Sequence, residues 1–255
     1  MLKPFWLALQ FLTRLPTPHY ESVNSKEVGQ SVAWYPLVGL LIGLLLVGVA
    51  QLHFWLPASI VSGLVLAVWV WLTGALHLDG LADSADGWLG ANGDSKRALE
   101  IMKDSQIGAG GGVVLVVFMI LKWTVLVELI NNQAWLFLLI APFWGRISAL
   151  LLIPTTPYVS VNGIAEQMVK HLNVKWVWGW LCLFVVVLFW MNTSSLTVQS
   201  VLPVLSLVVG LMLVWVWLRW AMMKLTGGMT GDTAGAMTEV SELALMLLSI
   251  ALLIN

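Results

Sequence analysis

Long apolar runs joined by short polar connections make up most of this chain. Seven stretches are apolar enough to read as membrane-crossing helices: roughly 32–52, 56–76, 111–130, 135–153, 176–191, 201–220 and 240–254. About 20 such residues are needed to cross a hydrocarbon layer of roughly 30 Å. The fifth and seventh are short for a span, and the N-terminal stretch 5–12 is shorter still. Arg14, Pro16 and Pro18 follow that stretch at once. It therefore reads as an interfacial or re-entrant helix, without the small-residue cleavage pattern of a removable signal. The expected fold is an all-α polytopic bundle of about seven transmembrane helices, six to eight counting the ambiguous ones, forming one integral membrane domain over 1–255. Gly39 and Gly43, at small-xxx-small spacing, suit close helix packing.

Composition agrees with the pattern. Sixty per cent of residues are hydrophobic and only 10% charged, with a mean hydropathy of +0.92. A soluble domain carries about 25% charged residues. Sixteen tryptophans add to the membrane reading, because indole favours the lipid–water boundary. The single cysteine, Cys182, excludes an intramolecular disulfide and a cysteine-based metal site. Nucleic-acid binding finds no basic patch to rest on. The net charge of -1 says less than the distribution of charge. Lys3, Arg14, Lys26, Lys96, Arg97, Lys103, Lys170, Lys175, Arg219 and Lys224 all border one side of the layout, whereas the connections 53–55, 131–134 and 192–200 carry no charge. By the positive-inside rule the charged side is cytoplasmic, and the acidic loop residues share it.

Six of the thirteen carboxylates are Asp79, Asp83, Asp86, Asp94, Glu100 and Asp104. On a helix, 100° per residue puts Asp83 about 40° from Asp79 and Asp86 about 20° the other way. Three carboxylates on one stripe at a membrane border repel one another and call for a cation. Magnesium, which commonly takes one or two carboxylates together with substrate phosphates, suits such a place. A second cluster, 101–112, ends in glycines leading into the third span; Gly108 and its neighbours expose N–H groups to phosphate, Lys103 adds a countercharge and Asp104 a further ligand. In a third, 226–236 followed by Glu239 and Glu242, Asp232 could join the same metal centre or hold a base. The site is thus expected from 77–112 and 226–242. Lys122 and Arg146 lie inside spans, where an isolated cation costs about 2.5–3.5 kcal/mol on insertion scales. They read either as phosphate-binding groups or as partners of an internal acid, for which Glu128 stands out. His77 points about 160° from Asp79 on a helix and reads as structural or interfacial.

The segments HLDGLADSADGW, KRALEIMKDSQIGAGG and TGGMTGDTAGA, in that order, closely resemble the cobalamin synthase family, also called adenosylcobinamide-GDP ribazoletransferases. FLTRLP at 11–16 and WYPLVG at 34–39 extend the resemblance over most of the chain. It implies a magnesium-dependent enzyme of the cytoplasmic membrane that joins adenosylcobinamide-GDP to α-ribazole or its 5′-phosphate and releases GMP. It implies Asp79, Asp83, Asp86, Asp104 and Asp232 as metal or phosphate residues. Asp86 or Asp232 is then the candidate proton acceptor, and Lys103, Gly108, Lys122 and Arg146 are candidate substrate contacts. A membrane complex with other cobalamin-assembly enzymes is a further expectation. A CDP-alcohol phosphotransferase performs a similar displacement, but its motif requires an Arg that Asp79-Gly80-Leu81-Ala82-Asp83 does not provide. A transporter would place acids near the bilayer midplane; here they gather at one face.

Overall fold

The computed structural model describes residues 2–160, 164–192 and 198–254. Twelve α-helices and one short 3₁₀ turn make up the regular structure of those residues: α1 Lys3–Leu12, α2 Ser25–Val32, α3 Tyr35–Ala50, α4 Ala58–Thr73, α5 Leu76–Gly90, α6 Ser95–Ile101, α7 Ala109–Asn131, α8 Trp135–Leu150, α9 Ile164–His171, α10 Lys175–Asn192, α11 Val198–Thr226 and α12 Gly231–Ile254. The one β-type pairing among them is a bridge between Tyr158 and Met229. It ties the turn after α8 to the turn before α12 through Met229 N–H to Pro157 O (2.8 Å) and Val159 N–H to Met229 O (3.1 Å).

Each of the seven expected spans coincides with a helix, namely α3, α4, α7, α8, α10, α11 and α12. Four helical stretches are long and apolar enough to cross a membrane: Tyr35–Phe54, Ala109–Asn131, Val201–Thr226 and Gly231–Leu252. α4 and α5 pass that test only as a pair bent by 89°, and α8 and α10 are shorter apolar helices. The uncharged connection at 192–200 lies largely outside the described residues.

The bend has a local cause. Gly74 and Ala75 both adopt left-handed backbone conformations, with φ of 62° and 59°. Glycine does so without a Cβ penalty and alanine does not. Two consecutive left-handed residues end α4 and restart the chain as α5 at a right angle. α5 therefore runs across the end of the bundle instead of extending the span. α1 follows its sequence pattern, burying Ala8, Leu9 and Leu12. α2 is held at its start by a capping box between Asn24 and Glu27.

α8 and α12 form the centre, packed on each other, with α3 against α8 and α5 against α12. A Cβ on Gly39 would fall 2.4 Å from the Pro142 carbonyl oxygen, and one on Gly43 2.0 Å from that of Leu139. These glycines let α3 and α8 meet backbone to backbone, as their spacing suggested. The outward faces keep the opposite character. Val113, Val116, Val117, Ile120, Trp71 and Trp217 are all exposed, as expected of helices whose solvent is lipid.

Candidate active site

α5 carries Asp79, Asp83 and Asp86, and α12 brings Asp232 to them in its first turn. The two helices touch through glycine. A Cβ on Gly80 would come within 2.6 Å of the Asp232 carbonyl oxygen, and one on Gly235 within 3.2 Å of the His77 Cα. Gly80 thus leaves room for α12. Burial of Asp83, followed by the charges of Asp79, Asp232 and Asp86, pushes its carboxyl up from 3.8 to about 6. Four carboxylates thus act on one another at this corner, as the helical spacing suggested for the three on α5.

They do not form a closed cage. Among the described residues no three His, Cys, Asp or Glu side chains come together as a ligand set for one ion. A magnesium ion that also binds substrate phosphates needs only one or two carboxylates from the protein. Asp79 and Asp83, one helical turn apart, fit that smaller requirement. Their mutual repulsion is the observation that favours a cation there.

Asp86 is otherwise engaged. Its Oδ2 accepts the Gly108 N–H and its Oδ1 the Gly111 N–H, both at 2.8 Å. α7 opens at Gly108 with no side-chain cap of its own, so Asp86 supplies the cap from another helix and sets a negative charge at the helix N-terminus. A Cβ at Gly108 or Gly111 would sit 2.4 Å from an Asp86 oxygen; glycine is required there by the carboxylate. Gly108, expected to offer its N–H to phosphate, offers it to Asp86. Asp104 and Lys103 are exposed, and Asp104 Oδ1 accepts the Gln106 N–H at 3.0 Å. Asp104 lines an open groove of about 910 Å³ that also reaches Asp86, Lys96, Arg97 and Glu100.

Lys122 takes the alternative reading, with different acids. Its Nζ lies 2.7 Å from Glu239 Oε2 and 2.9 Å from Glu242 Oε2, and 3.8 Å from the centroid of the Trp69 ring. All three charged side chains are at most 3% exposed. Arg146 Nη1 pairs with the other oxygen of Glu242 and also reaches the Pro142 carbonyl at 3.3 Å. Two cations and two carboxylates therefore neutralise one another in the core. Gly145 makes the space, since a Cβ there would lie 2.6 Å from the Glu242 Cγ. Glu128, the partner suggested by sequence, is not among these contacts. The expected span began at 240, whereas α12 begins at Gly231, which carries Glu242 roughly 16 Å along the helix. Glu239 and Glu242, three residues apart on one helical face, were the sequence signal for this network.

Arg146 also borders a second space. A cavity of about 370 Å³ is lined by His77 and Asp79 of α5, Arg146 and Ala149 of α8, and Asp232 and Thr238 of α12, with an apolar wall that includes Phe11 and Tyr35. Asp79 and Asp232 thus both line its polar part. His77, read as structural, lines the same cavity, and its Nδ1 is buried without a hydrogen-bond partner.

Comparisons with known proteins place the chain in a family. A family model described as Cobalamin-5-phosphate synthase matches residues 4–250. A protein of Acinetobacter baumannii named adenosylcobinamide-GDP ribazoletransferase is 40% identical over 258 residues, covering 96% of each chain. Proteins of the same name from Pseudomonas putida and Pseudomonas entomophila are 44% and 43% identical, covering 96% and 98% of this chain and 97% and 99% of their own. No solved structure matches. Matched over nearly its whole length by the family model and by these relatives, the chain belongs to the cobalamin-5-phosphate synthase family.

Proposed function

We propose that this protein is a membrane-embedded transferase that joins adenosylcobinamide-GDP to α-ribazole or α-ribazole 5′-phosphate, giving the cobamide or its 5′-phosphate and GMP. The relatives' names carry the substrates, and one observation carries the chemistry: where α5 packs on α12, Asp83 lies within reach of the charges of Asp79 and Asp232. A diphosphate attacked there must shed negative charge onto the leaving nucleotide, and anionic side chains alone would repel it. Asp79 and Asp83 would hold magnesium, which when bound supplies the countercharge for the diphosphate.

The remaining steps belong to the chain's own groups. Asp232, across from α5, accepts the proton of the attacking ribose hydroxyl. The oxygen bonds to the phosphorus nearer cobinamide, the P–O bond to GMP breaks, and GMP leaves with the electron pair. Asp86, with both oxygens hydrogen-bonded to backbone, is a poorer base than Asp232; it fixes the start of α7 beside the site. The donor, too bulky for the inner cavity, lies along the open groove past Asp86, Lys96 and Arg97.

The site faces the cytoplasm in this reading, supported by the ten basic residues on one side of the layout. A cysteine placed at Ser95 or Lys170 is labelled by a membrane-impermeant reagent in inverted vesicles and is protected in intact cells. Labelling from the periplasm would reverse the orientation.

The reaction is tested with detergent-purified protein, magnesium and one activated donor at a time. Adenosylcobinamide-GDP with α-ribazole should yield GMP and a cobamide in equal amounts, and CDP-activated alcohols should yield no CMP. CMP release, or no nucleotide release from either donor, would remove the proposed reaction.

A further inference from the structure

We propose that the inner cavity is the binding site for the acceptor nucleoside, and that Arg146 is the residue that recognises its 5′-phosphate. The assignment rests on the proposed reaction for the identity of the acceptor. The size of the cavity supports it independently. A cavity of about 370 Å³ lies toward the small end of ligand sites. It admits a bicyclic aromatic base with one ribose, and it excludes a corrin ring with its amide arms.

The lining has the same two-part character as that ligand. The apolar part comes from α1, α2, α3 and α9: Phe11, Val32, Tyr35 and Met168. The Phe11 and Tyr35 rings are stacked, 5.9 Å apart and tilted by 16°, and give a flat base an aromatic surface to lie against. The polar part comes from α5, α8 and α12.

Arg146 is the decisive group. It is 1% exposed, and one of its nitrogens is satisfied by Glu242 and Pro142. Nε and Nη2 are buried with no partner. A buried guanidinium with two idle donors is costly, and the Arg146 side chain lines the cavity. Nε and Nη2 together form one edge of the guanidinium, the edge that binds two oxygens of a phosphate at once. Arg146 reaches Glu242 through Nη1 alone, so the other edge of its guanidinium can receive an anion without breaking that contact. With the phosphate on Arg146, the ribose lies between it and the carboxylates of Asp79 and Asp232. Its secondary hydroxyl then faces the proton acceptor, and the donor's diphosphate approaches from the groove at the far end of α5.

Equilibrium dialysis with the purified full-length protein, in the absence of donor, tests the assignment with α-ribazole 5′-phosphate and α-ribazole as probes. Arg146→Gln is expected to weaken binding of the phosphorylated probe at least about tenfold while leaving α-ribazole unchanged. Because that change disturbs the ion network, Ala149→Phe provides a second route: it fills the cavity from α8 while leaving every charged side chain in the sequence, and should weaken both probes at least about tenfold. Adenosylcobinamide-GDP should bind both variants as it binds the wild type. Normal acceptor binding in Ala149→Phe, or a loss confined to the donor, would overturn the assignment. Wild-type protein that binds the probes in this pattern yet releases no GMP when donor is added would sink the reaction and leave the pocket standing.

Discussion

Asp79→Asn and Asp83→Asn each lower the rate of GMP release by about a hundredfold or more, and both raise the magnesium concentration needed for what activity remains. Each substitution keeps side-chain volume and removes one negative charge from a corner where four carboxylates already repel one another. Folding should therefore be unharmed, and removal of repulsion could even stabilise the corner. Asp232→Asn is expected to behave differently: turnover falls by about 10²–10⁴, the range for losing a general base, at an unchanged magnesium requirement. Asp86→Asn separates the catalytic group from the scaffold. An amide keeps one acceptor oxygen and loses the other, so either Gly108 or Gly111 is left without its partner. The cost is that of a helix cap, about 0.5–2 kcal/mol, read as a lowered melting temperature with substantial activity retained below it. Thermal unfolding and metal titrations on the four variants check the division of roles. Four variants with wild-type turnover at limiting magnesium would mean that this corner is not the site.

Lys122→Met produces the largest loss of stability. It leaves Glu239 and Glu242 in the core with Arg146 as their one remaining cation. Breaking a buried pair in this way costs about 3–5 kcal/mol, and the Trp69 ring loses its cation as well. The variant should express poorly or melt far below the wild type in detergent. Lys122→Met combined with Glu239→Gln restores neutrality and recovers most of the loss. A substrate-binding lysine would behave otherwise, with a normal melting temperature and a raised KM for the nucleotide donor.

The contrast between these two sets of residues shows what the sequence made legible. Helical periodicity placed the three aspartates of α5 on one stripe correctly, because the geometry within a helix depends only on spacing. It could not show the 89° turn before them, since an alanine in the left-handed region leaves no compositional mark. The apolar runs located the helices of all seven expected spans for the same local reason. The cluster 226–236 marked the neighbourhood of Asp232, but the start of α12 lay nine residues before the expected span. That shift hid the depth of Glu239 and Glu242, leaving Glu128 as the acid that the sequence offered to Lys122. Gly108 was recognisable as lying at a helix start, where N–H groups are free to bind an anion. The anion proved to be Asp86, 22 residues earlier in the chain, and a contact between different helices is not written in either segment alone.

The central claim is that the acidic corner directs an acceptor hydroxyl to the phosphorus nearer cobinamide and expels GMP. Adenosylcobinamide-GDP labelled at that phosphorus alone, incubated with purified protein, magnesium and α-ribazole, tests it in one measurement. The label should pass entirely into the cobamide, with an equal amount of unlabelled GMP, and neither product should form when α-ribazole is withheld. Label recovered in a guanine nucleotide or as inorganic phosphate, or GMP released without acceptor, would contradict the account.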